Sequence, residues 1–174
     1  YSIKGYVPLP DYRVPLDKAK VIKSGKKITI VGISYMTLEC LKAAEILSQY
    51  DIDAEIIDLR SIRPIDYETI ADSVKKTNHL LVVDHSDPFC SVASEIISSI
   101  SEKNFSYLKK SPTKITLPCH PVPTSHSLSD DYYPNHINIV NKVFKMFSRK
   151  ETYRPLNDKN IRKDQPNKSF QGPF

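Results

Sequence analysis

Two rhythms of apolar residues run between residues 27 and 147. Short strand-like runs occur at Lys27–Ile33, Ala54–Leu59, His79–Asp84 and Thr113–Leu117. The first is β-rich and nearly continuous in apolar residues, as a strand covered on both faces should be. Between them the spacing lengthens to that of helices. Leu38, Leu41, Ala44 or Glu45, and Leu47 share one face, widened by Ala43 and Ile46, with Thr37 as N-cap and Asp51 closing the helix. A second helix is expected over Tyr67–Lys76, capped by Asp66 and ending in Lys75 and Lys76, whose charges suit the negative end of the helix dipole. A third covers Val92–Lys103 with Val92, Ile96, Ile97 and Ile100 inward. A fourth covers His136–Phe147 with Ile137, Val140, Val143, Phe144 and Phe147 inward. Strands alternating with helices predict an α/β domain of three layers, a mainly parallel sheet with right-handed crossovers and helices on both faces.

The flanks follow neither rhythm. In residues 1–26, Pro8, Pro10 and Pro15 favour extended chain, so an arm laid over a surface is expected, leading into a short strand near Ala19–Ile22. Gly25 and Lys26 mark the turn into the domain proper, residues 27–147. Residues 148–174 are polar, basic and punctuated by proline, an extended C-terminal tail that alone cannot bury enough apolar surface to order itself. If it is ordered, a partner orders it.

Charge sharpens that division. Of the net +5 carried by 174 residues, the tail holds +4, from seven Lys or Arg against three Asp or Glu. A solvated tail and one laid on an acidic surface both fit. The tail can neutralise RNA phosphates but lacks the interleaved aromatics of a base-stacking platform, so RNA is the lesser expectation and protein the greater. No apolar run approaches the roughly 20 residues of a membrane span, and no secretory signal pattern opens the chain. Its first residue is Tyr1, which suits a processed product or a piece of a longer chain. Cys40, Cys90 and Cys119 are widely spaced and odd in number, which argues for a reducing compartment.

Ligands of such sheets bind beyond the C-terminal strand ends, which here carry GISYMT, DLRSIRP and DHSDPFCS. Of four glycines (Gly5, Gly25, Gly32, Gly172) only Gly32 lies at such an end, and no phosphate-cradling motif exists. Cys119, His120, His126 and His136 match no common zinc spacing. His85 and Cys90 have the residue types of a base and a nucleophile, without a visible orienting group or oxyanion donor. Arg60 and Arg63 flank a strand end and are suited to a carboxylate or phosphate, with Asp58, Asp66 or a neighbouring subunit as the plainer partners. Ten tyrosines, many in the termini and the late loop, suit contact surface more than catalysis. No residue set forms a complete active site.

Three stretches, VPLDKAKVIKSGKKITIV, LKAAEILSQYDIDAEIIDLRSIRPIDYETIADSVKKTNHLLVVD, and the later P-V-P followed by Asp130 and Pro134, resemble the C-terminal domain of the pyruvate dehydrogenase beta subunit. That domain is of the transketolase C-terminal kind, within the thiamine-diphosphate-dependent 2-oxo acid dehydrogenases. The resemblance runs from about Gly5 to Phe147. It implies a domain for subunit association and for docking an acyltransferase core, with the cofactor-activating glutamate on a separate N-terminal domain. It therefore implies no cofactor on this domain alone. Thiamine diphosphate and magnesium enter only with that N-terminal domain and an alpha subunit. A mitochondrial matrix location is likewise implied.

The chain departs from the family in three places. His85, Ser86, Ser91 and Ala93 stand where the family carries glycines, Cys119 stands where it carries an acidic residue tied to acyltransferase docking, and the chain runs 27 residues past the last helix. Together these lead to the expectation of a non-catalytic structural subunit in a large mitochondrial assembly. Its partner-facing residues are expected to be Arg60, Arg63, Cys119, Tyr153, Arg154, Arg162, Lys163 and Phe170. The alternative is the C-terminal half of a true pyruvate dehydrogenase beta subunit. A third reading is a small-molecule sensor using Arg60 and Arg63 at the strand ends.

Overall fold

The computed structural model describes residues 12–125 and 132–155. Strands β1 (Lys20–Lys23), β2 (Ile28–Gly32), β3 (Ala54–Asp58), β4 (Leu80–Val83) and β5 (Thr113–Ile115) form one sheet in the order β1-β3-β2-β4-β5. The last four run parallel; β1 pairs antiparallel to β3 at one edge, with an irregularity between Val21 and Lys23. Helices α1 (Met36–Ser48), α2 (Tyr67–Thr77), α3 (Val92–Asn104) and α4 (His136–Met146) complete the described elements, with a single 3-10 turn at Phe105–Tyr107. The mainly parallel three-layer α/β arrangement expected from the sequence is the one found.

Alternation along the strands sorts side chains between two cores. Ile28, Ile30, Ile56 and Leu81 face α1 and α4, where they meet Met36, Cys40, Leu47, Val140 and Phe144. Val31, Ile57 and Val82 face α2 and α3, where they meet Ile70, Val74 and Ile96. Both faces of β2, β3 and β4 are thus shut from water, which is why their sequences read as unbroken apolar runs. Each isoleucine so buried contributes about 2 kcal/mol of transfer free energy.

Local rules placed some helix ends and tertiary packing moved others. Asp66 caps α2 as expected, accepting from the Thr69 N–H at 3.1 Å, and it also accepts from the Ala19 N–H at 3.0 Å, which ties the lead-in segment to the domain. Thr37 is not the cap of α1. The helix begins at Met36, no side chain caps it, and the Thr37 hydroxyl turns to Asp58 at 3.4 Å. The reason is Gly32: a Cβ there would lie 2.6 Å from the Thr37 Cα, so strand and helix meet with no room for a capping turn.

Two buried faces are also rotated from the expected ones. α1 turns Met36, Glu39, Cys40, Ala43, Ala44 and Leu47 inward, leaving Leu38 and Leu41 half-buried. α4 buries Ile139 and Met146 along with Val140, Val143 and Phe144, while Ile137 and Phe147 lie half-buried.

The first residues of the tail fold back on their own domain. Arg149 donates to the Tyr50 carbonyl at 2.6 Å. Asn141 on α4 accepts from the Tyr153 N–H at 2.7 Å and donates to the Tyr153 carbonyl at 3.2 Å. Tyr153 itself packs on the α1–α4 core. Arg162, Lys163 and Phe170 lie outside the described residues.

Candidate functional site

The chain leaves β2 through α1 to reach β3 on one side, then returns through α2 to β4 on the other, so the order switches beside β2. At such a point the loops after neighbouring strands diverge and open a crevice. Tyr35, from the loop after β2, and His85, from the loop after β4, close it here with ring centroids 6.0 Å apart. Tyr133 stands 6.0 Å from His85 on the far side, and His85 Nε2 lies 3.4 Å from the Pro134 carbonyl. Beneath them sits Glu39, 3% exposed. Its Oε2 accepts the N–H of His136, the first residue of α4, at 2.9 Å and the His136 ring Nδ1 at 2.8 Å. Its Oε1 accepts from Lys42 at 2.8 Å and from the Tyr35 hydroxyl at 3.1 Å. A carboxylate accepts only, so the proton sits on Nδ1 of His136.

These contacts decide the chemistry available. Burial pushes the Glu39 carboxyl up, but the His136 ring, Lys42 and the His136 amide overcome it and hold the group at about 2. Glu39 is therefore a fixed anion and not a proton donor at neutral pH. Burial also lowers His85, against the Pro134 carbonyl and the charges of Asp84 and Glu39, which keeps its imidazole neutral. The Tyr35 hydroxyl is pushed well above its ordinary value by burial and by Glu39. The result is a cluster that joins α1, the loop after β4 and the start of α4. It holds no activated nucleophile among the described residues.

The residues singled out from sequence do not converge. Arg60 pairs with Asp58 at 3.7 Å, one of the partners expected for it. Asp66, the other, is taken up by Thr69 and Ala19. Arg63 is exposed beside the cis Arg63–Pro64 bond and makes no ion pair among the described residues. Cys90 and Cys119 are exposed and Cys40 is buried, its thiol pushed up by burial and by Glu39. His120 contacts Pro121 and Tyr132, and His136 is committed to Glu39, so the two do not share a ligand position. His126 lies outside the described residues. Arg154 is exposed, whereas Tyr153 faces its own domain. Around the strand ends, Ile62 (56% exposed), Phe89 (79%) and Val122 present apolar surface.

Glu39, Tyr35 and Tyr133 were missed in the sequence. The available signal was an acidic residue on the otherwise apolar Met36, Cys40, Ala43 face, but that face becomes visible only once the helix phase is known.

Comparison with known proteins agrees with this architecture. The family profile described as the transketolase C-terminal domain matches residues 17–139. The beta subunit of acetoin:2,6-dichlorophenolindophenol oxidoreductase from Bacillus subtilis (strain 168) is 36% identical over 84% of this chain and 43% of its own length. The mitochondrial pyruvate dehydrogenase E1 component subunit beta of Dictyostelium discoideum is 40% identical over 80% of this chain and 39% of its own length. The solved structure described as a split gene transketolase, inactive beta4 tetramer, superimposes with a TM-score of 0.69 at 26% identity, covering 84% of this chain and 48% of that one. The chain thus spans less than half the length of these relatives. Bacterial and mitochondrial relatives both match, so the family itself carries no single location. With the family profile matching residues 17–139 and a solved fold superimposing at a TM-score of 0.69, this chain belongs to the transketolase C-terminal domain family.

Proposed function

We propose that this domain is the association part of a dehydrogenase beta subunit of the pyruvate or acetoin type, and that it performs no chemistry itself. The observation that supports this best is the 36–40% identity with such subunits across four-fifths of the chain. The site agrees with it. Thiamine diphosphate would need backbone N–H groups free to approach its phosphates, but the strand end at Gly32 is packed against Thr37 and the crevice beyond it is filled by Tyr35, His85 and Tyr133. The residues of this domain do not fit the cofactor, so no catalytic step runs through them. Their task in this reading is to hold a rigid surface. The Glu39–His136 contact fixes α4 on α1, and the exposed Ile62, Phe89 and Val122 are available to neighbouring subunits. The exposed Cys119 carries no carboxylate to offer an acyltransferase.

Native purification of the endogenous protein tests the proposal. The expected result is a polypeptide about twice the mass of these 174 residues, travelling with an alpha subunit and thiamine diphosphate. Recovery of a 174-residue product in a complex without an alpha subunit would overturn it in favour of a purely structural subunit. Calorimetric titration of the chain with thiamine diphosphate and magnesium should give no heat of binding; a saturable isotherm would contradict the assignment of this domain as non-catalytic.

A further inference from the structure

Among the described residues the edge of the sheet at β5 is open, and the groove beside it is basic. Asp84 N–H donates to the Ile115 carbonyl at 3.0 Å, and Leu117 N–H donates to the Ser86 carbonyl at 3.1 Å. Ile115 and Leu117 therefore turn their main-chain groups toward β4. By the alternation of a strand, Lys114 and Thr116 turn theirs outward, where no strand follows among the described residues. Their side chains follow the complementary rule. Lys114 reaches the α3 side, contacting Pro88 and Ser94, while Thr113 and Ile115 face α4, the Thr113 hydroxyl lying 3.2 Å from the Met146 sulfur.

Along this edge run two adjoining hollows of about 420 and 430 Å³, both bordered by Lys142 and Lys145. Lys110 stands at one end, Tyr132 and Pro134 at the other, and no described lining residue is acidic. Lys142 and Lys145, three residues apart on α4, form no ion pair or side-chain hydrogen bond among the described residues. Lys110 bonds only the Ser148 hydroxyl among those residues, at 2.9 Å. Unpaired strand groups beside a row of uncompensated amines present two kinds of recognition at once. The first is a main-chain ladder, and the second is positive charge at a spacing of one helical turn, about 5 Å. Alternate side chains of an added strand repeat at about 7 Å, within reach of such a row.

We infer that β5 and α4 form a docking groove for an extended acidic segment of a partner protein. The segment adds as a sixth strand on Lys114 and Thr116, with its carboxylates on Lys110, Lys142 and Lys145. The chain's own tail is a poor occupant, since it carries net positive charge into a positive groove.

A fluorescein-labelled peptide of alternating Glu and Val, titrated into the full chain with anisotropy readout, tests this. Saturable binding is expected, weakening at least tenfold in Lys142→Glu/Lys145→Glu, whose folding is checked by circular dichroism. Amide exchange at Lys114 and Thr116 should slow in the complex. A peptide of equal charge in which a central Val and its neighbouring Glu are both proline, with a Glu restored at one end, should bind at least tenfold more weakly, because whichever way the strand runs it has lost a main-chain donor to β5. Equal binding of the proline peptide would reduce the contact to charge alone and overturn strand addition. So would protection of amides elsewhere. A loss produced instead by Arg162→Gln/Lys163→Gln would place the acidic site on the tail and overturn the assignment to the groove. Absence of saturable binding would dispose of it altogether.

Discussion

Glu39 and Glu55 are both carboxylates nearly shut off from water, at 3% and 2% exposure, and both are kept ionised. They hold different things together. Glu55, on β3, accepts from the Gly25 N–H at 3.2 Å, from the Ser73 hydroxyl at 2.5 Å and from Lys76. Burial pushes its carboxyl up, and these donors bring it below its ordinary range. Its partners lie within 30 residues, inside the unit built by β2, β3 and α2, and Ser73 continues into a buried hydroxyl chain with Thr29 and Thr77. Glu39 instead takes its main partner from 97 residues away and fixes the last helix to the first. One acid is internal to the sheet unit; the other joins two parts of the chain that the sheet does not connect. The cost of burying a carboxylate is met in each case by several donors, and the location of those donors decides what comes loose when they go.

The strongest way to test that principle is to bury an acid without donors. Ile57 is fully buried in β3, and Ile57→Asp should cost on the order of 5 kcal/mol and leave the chain unfolded by circular dichroism. A soluble variant with a cooperative melt would mean that β3 is not central. Next come the two glutamates themselves. Glu55→Ala and Glu39→Ala should each cost about 3 kcal/mol, since each strands buried donors. Hydrogen exchange should separate them: Glu55→Ala speeds the amides of β1, β3 and α2, whereas Glu39→Ala speeds those of α4 and leaves β2 and β3 protected. Identical exchange patterns would abolish the distinction between the two acids.

Acid titration sharpens it further. Because folding lowers the Glu39 carboxyl from 4.5 to about 2, its stabilisation is complete above about pH 4.5 and is lost as pH falls toward 2. The loss is at most on the order of 3 kcal/mol. Urea midpoints measured from pH 5 to pH 2 should fall more steeply in the native chain than in Glu39→Gln; parallel slopes would remove Glu39 from the account. Smallest is Asn141→Ala, expected to cost about 1 kcal/mol through its two bonds to Tyr153, read as a slightly lower melting temperature.

What could be read from the sequence divides along the same line as the two glutamates. Strands β2, β3 and β4 were legible because burial on both faces leaves an unbroken apolar run, and Asp66 was legible because its cap is closed by a residue three positions on. The faces of α1 and α4 were not, since Cys40, Ile139 and Met146 are buried by one another and by the sheet, whereas Leu38 and Ile137, equally apolar, are only partly covered. Thr37 has the chemistry of a cap and was denied it by the contact with Gly32. Nothing in the sequence marked Glu39, whose partner His136 lies 97 residues away. Nothing marked Lys142 and Lys145 either, because the open edge of β5 that gives them meaning lies some 30 residues earlier. Tyr153 was read as partner-facing with the tail; in the structure two hydrogen bonds to Asn141 hold its backbone on the domain.

That last clasp sets a load path. A pull on the chain beyond Tyr153 is received by Asn141, in the middle of α4, and not by the last turn of the helix. From there it passes along α4 to His136 and across to Glu39 on α1, so tension from whatever grips the tail is carried into the body of the domain before any strand is sheared.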